Sequence, residues 1–225
     1  MSTLLPIIMT EYLVLSSLAM TANAVGAFVG GIFFKKLTNA IKIIVVLAVF
    51  GALWDVFALM LVMNNQIVSR VWLSVVAAPQ FFLVLWALMH VGNDIFTGYV
   101  HGLLRISLFV YPLIFCGLYW FVPELFLTPF ITIGTYFFLA FIVGECLVEM
   151  YRHNALFSNQ AEFWVLLALF GYYVCVVALL CLKLTTPKMN PNYYWTPHAL
   201  LAVLKNGLLI YSFNLKAKSW NSKAL

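Results

Sequence analysis

Few side chains in this sequence could do chemistry, and those few lie where charge is costly. Asp55, Glu145, Glu149 and Lys205 sit inside long apolar runs, accompanied by the amides of Asn23, Gln80 and Asn206. An ammonium and a carboxylate in an apolar medium can pair, hold an ion, pass a proton or bind a polar ligand. Ionisable groups in such a medium are functional candidates by default. Glu145 and Glu149 are four residues apart and share a helix face. Two carboxylates so placed could hold a cation or hand on a proton. A plainer arrangement competes with that one: Glu149 pairs with Arg152 one turn on, and Glu145 bonds to a neighbouring helix.

Other chemistries find no support. His90, His101, His153 and His198 are scattered, without the HxxxH or HxxE spacing of a metal or haem site. Cys116, Cys146, Cys175 and Cys181 fall in apolar segments with no CxxC pair, which reads as buried free thiols. No phosphate-binding loop, nucleophile elbow or zinc-protease motif occurs. The expectation is a protein without catalysis of its own, with no cofactor and no metal.

The elements that must position these groups follow from composition. Of 225 residues, 65% are hydrophobic and 8% are charged, with a mean hydropathy of +1.04. Ordinary soluble domains carry about 25% charged residues. Lipid is the solvent that suits this chain, and it permits only elements that satisfy every backbone group internally. The net charge of +5 comes from basic residues spread thinly at segment ends. That pattern fits phospholipid headgroups rather than nucleic acid.

A spanning helix needs about 20 apolar residues. Seven runs qualify: Met9–Phe34, Ile43–Val62, Ile67–Val91, Gly102–Phe121, Pro129–Tyr151, Phe163–Leu182 and His198–Leu215. The predicted fold is therefore all-α, a single transmembrane bundle over residues 1–225. The N-terminus lacks the basic start of a signal peptide, and its apolar run is too long for one. No linker leads to a soluble domain, and the tail after Leu215 is too short to fold alone. With the N-terminus outside, the inner loops collect Lys35, Lys36, Lys42, Arg105, Arg152, Lys216, Lys218 and Lys223. The outer loops collect Arg70, Lys183 and Lys188. This asymmetry predicts an outer N-terminus and a cytoplasmic C-terminus in the cell inner membrane. Tyr193, Tyr194 and Trp195 fit an interfacial aromatic belt.

Depth brings the polar groups together. At 1.5 Å per residue, Lys205 and Asp55 each lie roughly 10 Å below the outer surface, with Gln80 roughly 5 Å lower. Lys205 is thus expected to join a polar cluster with Asp55, Gln80 and Asn23, next to Asn206. The alternative is a lysine that snorkels to the headgroups, or a purely structural pair. Pro79 and Pro112 fall within spans and can kink them. "GAFVGG", Gly26 to Gly31, puts small residues on one face for close helix packing.

The order of features resembles a known family. A first span ends in "FFKKLTNAIK", the second carries "VFGALWDVFALML", the fifth ends in "ECLVEMYRHN", and the last contains "LLAVLKNGLLIYSFN". "NQAEFWVLLALFGYY", Asn159 to Tyr173, resembles an "NPxFW…G…YY" signature at the start of a sixth span. Gln160 and Ala161 depart from its proline and its shorter spacing. Together these resemble the membrane input module of Bacteroidota sensor histidine kinases and related proteins. That resemblance implies signal perception relayed by helix movement. No kinase output domain is present in the sequence, so a signal would pass to a separate protein. The expected partners are the lipid bilayer and a membrane protein or a second copy of the chain. Two other functions compete: a small-solute transporter, and a retinal protein using Lys205, for which the third span offers Gln80 rather than an acid.

Overall fold

The structure, a computed structural model, describes residues 4–63, 70–91, 98–122, 130–153, 160–186 and 192–222. The described residues are helical and contain no strand. The helices are α1 (Leu4–Phe33), α2 (Asn39–Met63), α3 (Arg70–Val91), α4 (Gly98–Phe121), α5 (Phe130–His153), α6 (Ala161–Thr185) and α7 (Asn192–Ser222). Each of the seven apolar runs falls on one of them. Most of the connections, together with Ile67 and Pro129, lie outside the described residues. α7 begins six residues before His198, with Pro197 inside its first two turns, and continues seven past Leu215.

Among the described residues, five helices contain stretches long and apolar enough to cross a membrane: Ser17–Lys36, Asn39–Leu61, Gly98–Leu118, Phe130–Arg152 and Ala161–Thr185. α3 contains a shorter apolar stretch, Val76–Val91. The chain is thus a multi-pass, all-helical membrane protein. Pro79, Pro112 and Pro197 lie inside α3, α4 and α7.

The one described helix-to-helix connection is tight. A single 3-10 turn, Phe34–Lys36, ends α1, and Leu37 then goes extended with φ −89° and ψ 151°. Thr38 supplies the first carbonyl of α2, accepting from the Lys42 backbone N–H at 2.9 Å.

Packing closes a ring. α1 lies against α2 and α7, α7 against α6, α6 against α5, α5 against α3, and α3 against α2. α4 stands outside, beside α3 and α5, with Ile106, Phe109, Leu113 and Trp120 exposed. The main core fills one half of the bundle, the end that carries Lys35, Lys36, Arg152 and Lys216. It joins Ile41, Ile44, Phe81, Leu85, Leu88, Leu104, Leu139, Ile142, Met150, Leu166 and Phe213. A second, small cluster of Ala19, Ala199 and Ala202 lies toward the other end. α2 shows the contrast along its length. Ala40, Ile41, Ile44, Val45 and Ala48 are buried, whereas none of residues 51–61 is. Lipid tails are as apolar as these side chains, so the helices cohere through close packing rather than through escape from water.

Close approach is visible at two glycines. A Cβ on Gly26 would lie 2.5 Å from the Asn206 side-chain oxygen, and one on Gly30 would lie 2.5 Å from Val45 Cγ2. Only glycine lets α1 sit this near α7 and α2. Gly31, on the outer side of the same run, has nothing within 4 Å.

Candidate functional site: a polar belt across the bundle

Between the two apolar clusters the interior turns polar. Asn23, on α1, is the hub. Its Nδ2 donates to Asp55 Oδ2 on α2 at 2.6 Å. Its Oδ1 accepts from Lys205 Nζ at 3.2 Å and from Asn206 Nδ2 at 2.8 Å, both on α7. Asn206 Nδ2 also donates to the Ala202 carbonyl at 2.8 Å. Asn23 and Asn206 are buried, while Asp55 and Lys205 are half-buried. Asn23 thus stands between the two charges: Lys205 meets Asp55 through an amide rather than directly or through Gln80. A charge-assisted bond to each side of one amide stabilises both ions where water cannot.

The belt continues through aromatic rings. The Lys205 ammonium lies over the Tyr172 ring on α6, 4.6 Å from its centroid. This is a cation–π contact, and it turns the ammonium inward rather than toward the headgroups. The Tyr172 hydroxyl and His198 Nε2 are 3.4 Å apart. Tyr172 packs edge-on against Tyr173, which stacks on Tyr136 of α5 with centroids 5.5 Å apart. Tyr136 donates to Gln80 Oε1 on α3 at 3.1 Å. Beside it, Thr135 is 3.0 Å from the Tyr111 hydroxyl on α4, and Tyr111 stacks on Phe81 at 3.7 Å. One connected band therefore touches all seven helices.

The expected cluster is brought together in part. Asp55, Lys205 and Asn206 each meet Asn23 directly. Gln80 lies at the far side of the band, bonded to α5 instead. The second acidic pair is separate. Glu149 is buried near the basic end, with its Oε2 3.9 Å from Arg152 Nη1. Glu145 is half-buried beside the buried thiol of Cys146. Among the described residues no group of three His, Cys, Asp or Glu side chains could hold a metal ion.

Sequence reasoning missed Tyr172, His198 and Tyr136, and also a second tie at the basic end. Lys216 Nζ donates to Glu162 Oε1 at 2.9 Å, and Thr38 Oγ1 donates to the same oxygen at 3.3 Å. Ser212 Oγ donates to the Ala161 carbonyl at 2.8 Å. The start of α2, the start of α6 and the end of α7 are fastened there. The adjacent tyrosines of "FGYY" were the available signal for the aromatic part of the belt. Glu162 and Lys216 carried none, since each looks like an ordinary end-of-span charge.

Chemically, the belt offers an ammonium, a carboxylate, amides and phenols, but no activated nucleophile. Comparison with protein-family models, with curated proteins and with solved structures returns no match.

Proposed function

We propose that this is a seven-span protein of the cell inner membrane, N-terminus outside, that performs no catalysis and acts as an input module or accessory subunit through a protein partner. The observation that carries this reading is the belt. It ties α1, α2, α6 and α7 through one ammonium and one carboxylate, and reaches α5 and α3 through Tyr136 and Gln80, above a well-packed apolar core. A change at either charge acts on the α1–α2–α7 junction and, through Tyr172, on α6, which suits a relay of helix movement. α3 and α7 complete the seven. With 22 and 31 residues they reach roughly 33 and 46 Å, and each sits between two ring neighbours. The belt favours the input role suggested by the family resemblance of the α6 and α7 motifs.

Purification through mild detergent, followed by mass spectrometry, tests the reading. A stoichiometric membrane-protein partner is expected, its retention altered by Lys205→Met. A chain that purifies alone and accumulates solute in proteoliposomes would replace this function with transport. The opposite charges flanking the Asn23 amide are the feature that favours that second reading, since they match a zwitterionic solute.

A further inference from the structure

The amides of Asn23 and Asn206 lie between a carboxylate and an ammonium in a geometry that admits a second arrangement. In the present one Asn23 donates to Asp55 and accepts from Lys205 and Asn206. The Asn206 side-chain oxygen is buried and has no hydrogen-bond partner, although the residue is only 2% exposed. A buried polar atom left unpaired is costly, and a second arrangement can give this oxygen a donor in exchange for the bonds of the Asn206 nitrogen. A primary amide is nearly symmetric in shape, and a half turn about its last torsion exchanges oxygen for nitrogen within the same volume.

We propose that Asp55 is a proton-binding site within the membrane and that Asn23 reports its occupancy by such a half turn. The inference deepens the reading of the belt as an input site and names its ligand. A carboxylate can only accept, so Asn23 must face it with nitrogen and face α7 with oxygen. When Asp55 takes one proton from water, its new O–H can donate to the Asn23 oxygen. Asn23 Nδ2 then faces α7. There it meets Asn206, whose oxygen becomes its acceptor after a matching half turn. The Ala202 carbonyl keeps its backbone partner in the helix. Gly26 leaves room for the exchanged group, because it carries no Cβ at the contact. Lys205 keeps its own proton but loses the Asn23 acceptor and retains the Tyr172 face. One O–H bond forms on the Asp55 carboxyl and one breaks in the hydronium ion that delivers the proton, which leaves as water. The consequence is a weaker α1–α7 tie in the protonated form.

The surroundings of Asp55 are simple enough for this. From α1 it meets the Asn23 amide. The charge acting on it is the Lys205 ammonium of α7, beyond which lie Tyr172 and His198. On α3, the other neighbour of α2, the titratable group with a described side chain is His90, bonded to the Trp86 carbonyl toward the basic end.

Infrared difference spectroscopy of the purified full chain, acidic minus neutral, tests the proposal. A carboxyl C=O band should grow on acidification together with a side-chain amide change. Asp55→Asn should lack both. Asn206→Leu should keep the carboxyl band and lose much of the amide change. Should Asp55→Asn fail to fold, Asp55→Glu should shift the band without abolishing it. A carboxyl band that persists in Asp55→Asn, one left in place by Asp55→Glu, or a band with no amide change would overturn the proposal. Partner retention is read separately on the same preparations, so failure of the proton site and failure of the input role are told apart.

Discussion

The side-chain oxygen of Asn206 lies where a methyl group on Gly26 would have to go, 2.5 Å from that Cβ position. The belt and the α1–α7 contact are therefore one structure. The hub amide reaches α7 only because α1 carries no side chain one turn further along. Gly26→Ala should destabilise the protein by about 1–3 kcal/mol, the usual range for overpacking. Gly30→Ala, pressed on Val45, should do the same, while Gly31→Ala should be neutral. Thermal unfolding in detergent separates the three. Equal effects at Gly30 and Gly31 would mean that the close approach is not what the glycines provide.

Lys205 and Asp55 should show coupling although they do not touch. Lys205→Met leaves the carboxylate poorly compensated, and Asp55→Asn does the same to the ammonium. Each is expected to cost about 1–3 kcal/mol, the range for leaving a hydrogen-bonded polar group without its partner. The double variant should recover part of the loss, because neither charge remains. A double-mutant cycle measures this. Asn23→Leu should abolish the coupling, since the amide carries it. Losses that simply add would argue that the charges act alone.

Not every ion pair here is expected to matter. Lys216 and Glu162 are 2.9 Å apart, with side chains 28% and 14% exposed. Lys216→Met should therefore cost about 1.5–3 kcal/mol, the range for hydrogen bonds to charged groups. Arg152 is 70% exposed and 3.9 Å from Glu149. Arg152→Met should change stability by about 0.2–1 kcal/mol, as exposed pairs do. The ranking, read from unfolding midpoints at low and high salt, is the test.

Topology is checked by labelling. A cysteine at Ser2 should react with an impermeant thiol reagent in intact cells, and one at Ser222 should not. Reaction at Ser222 would reverse the orientation drawn from the lysines and arginines.

The helices were legible because lipid demands long apolar runs, and each predicted run falls on one helix. The members of the central cluster were legible for a related reason. Asp55, Lys205, Asn23 and Asn206 interrupt apolar sequence, and depth counted from helix ends placed Asp55 and Lys205 at one level. Their order was not legible. Rise per residue gives height but not azimuth, so nothing in the sequence put Asn23 between the charges or turned Gln80 toward Tyr136. Tyr172 and His198 escaped notice because an aromatic side chain in a span looks like packing until its hydroxyl or its ring is seen beside a cation. The ring closure of α1 on α7 is likewise invisible, since it joins residues from opposite ends of the chain.

That closure sets an order in time. Asn23 and Lys205 are 182 positions apart, so the bond between them waits until nearly the whole chain has been made. At about 5–20 residues per second, the first hairpin spends roughly 8–30 s in the insertion machinery or the bilayer with an amide and a carboxylate whose cation has not yet been synthesised. During that interval Asn23 and Asp55 have each other and no counter-ion. The early hairpin is the stage of biogenesis at which this protein most needs an escort.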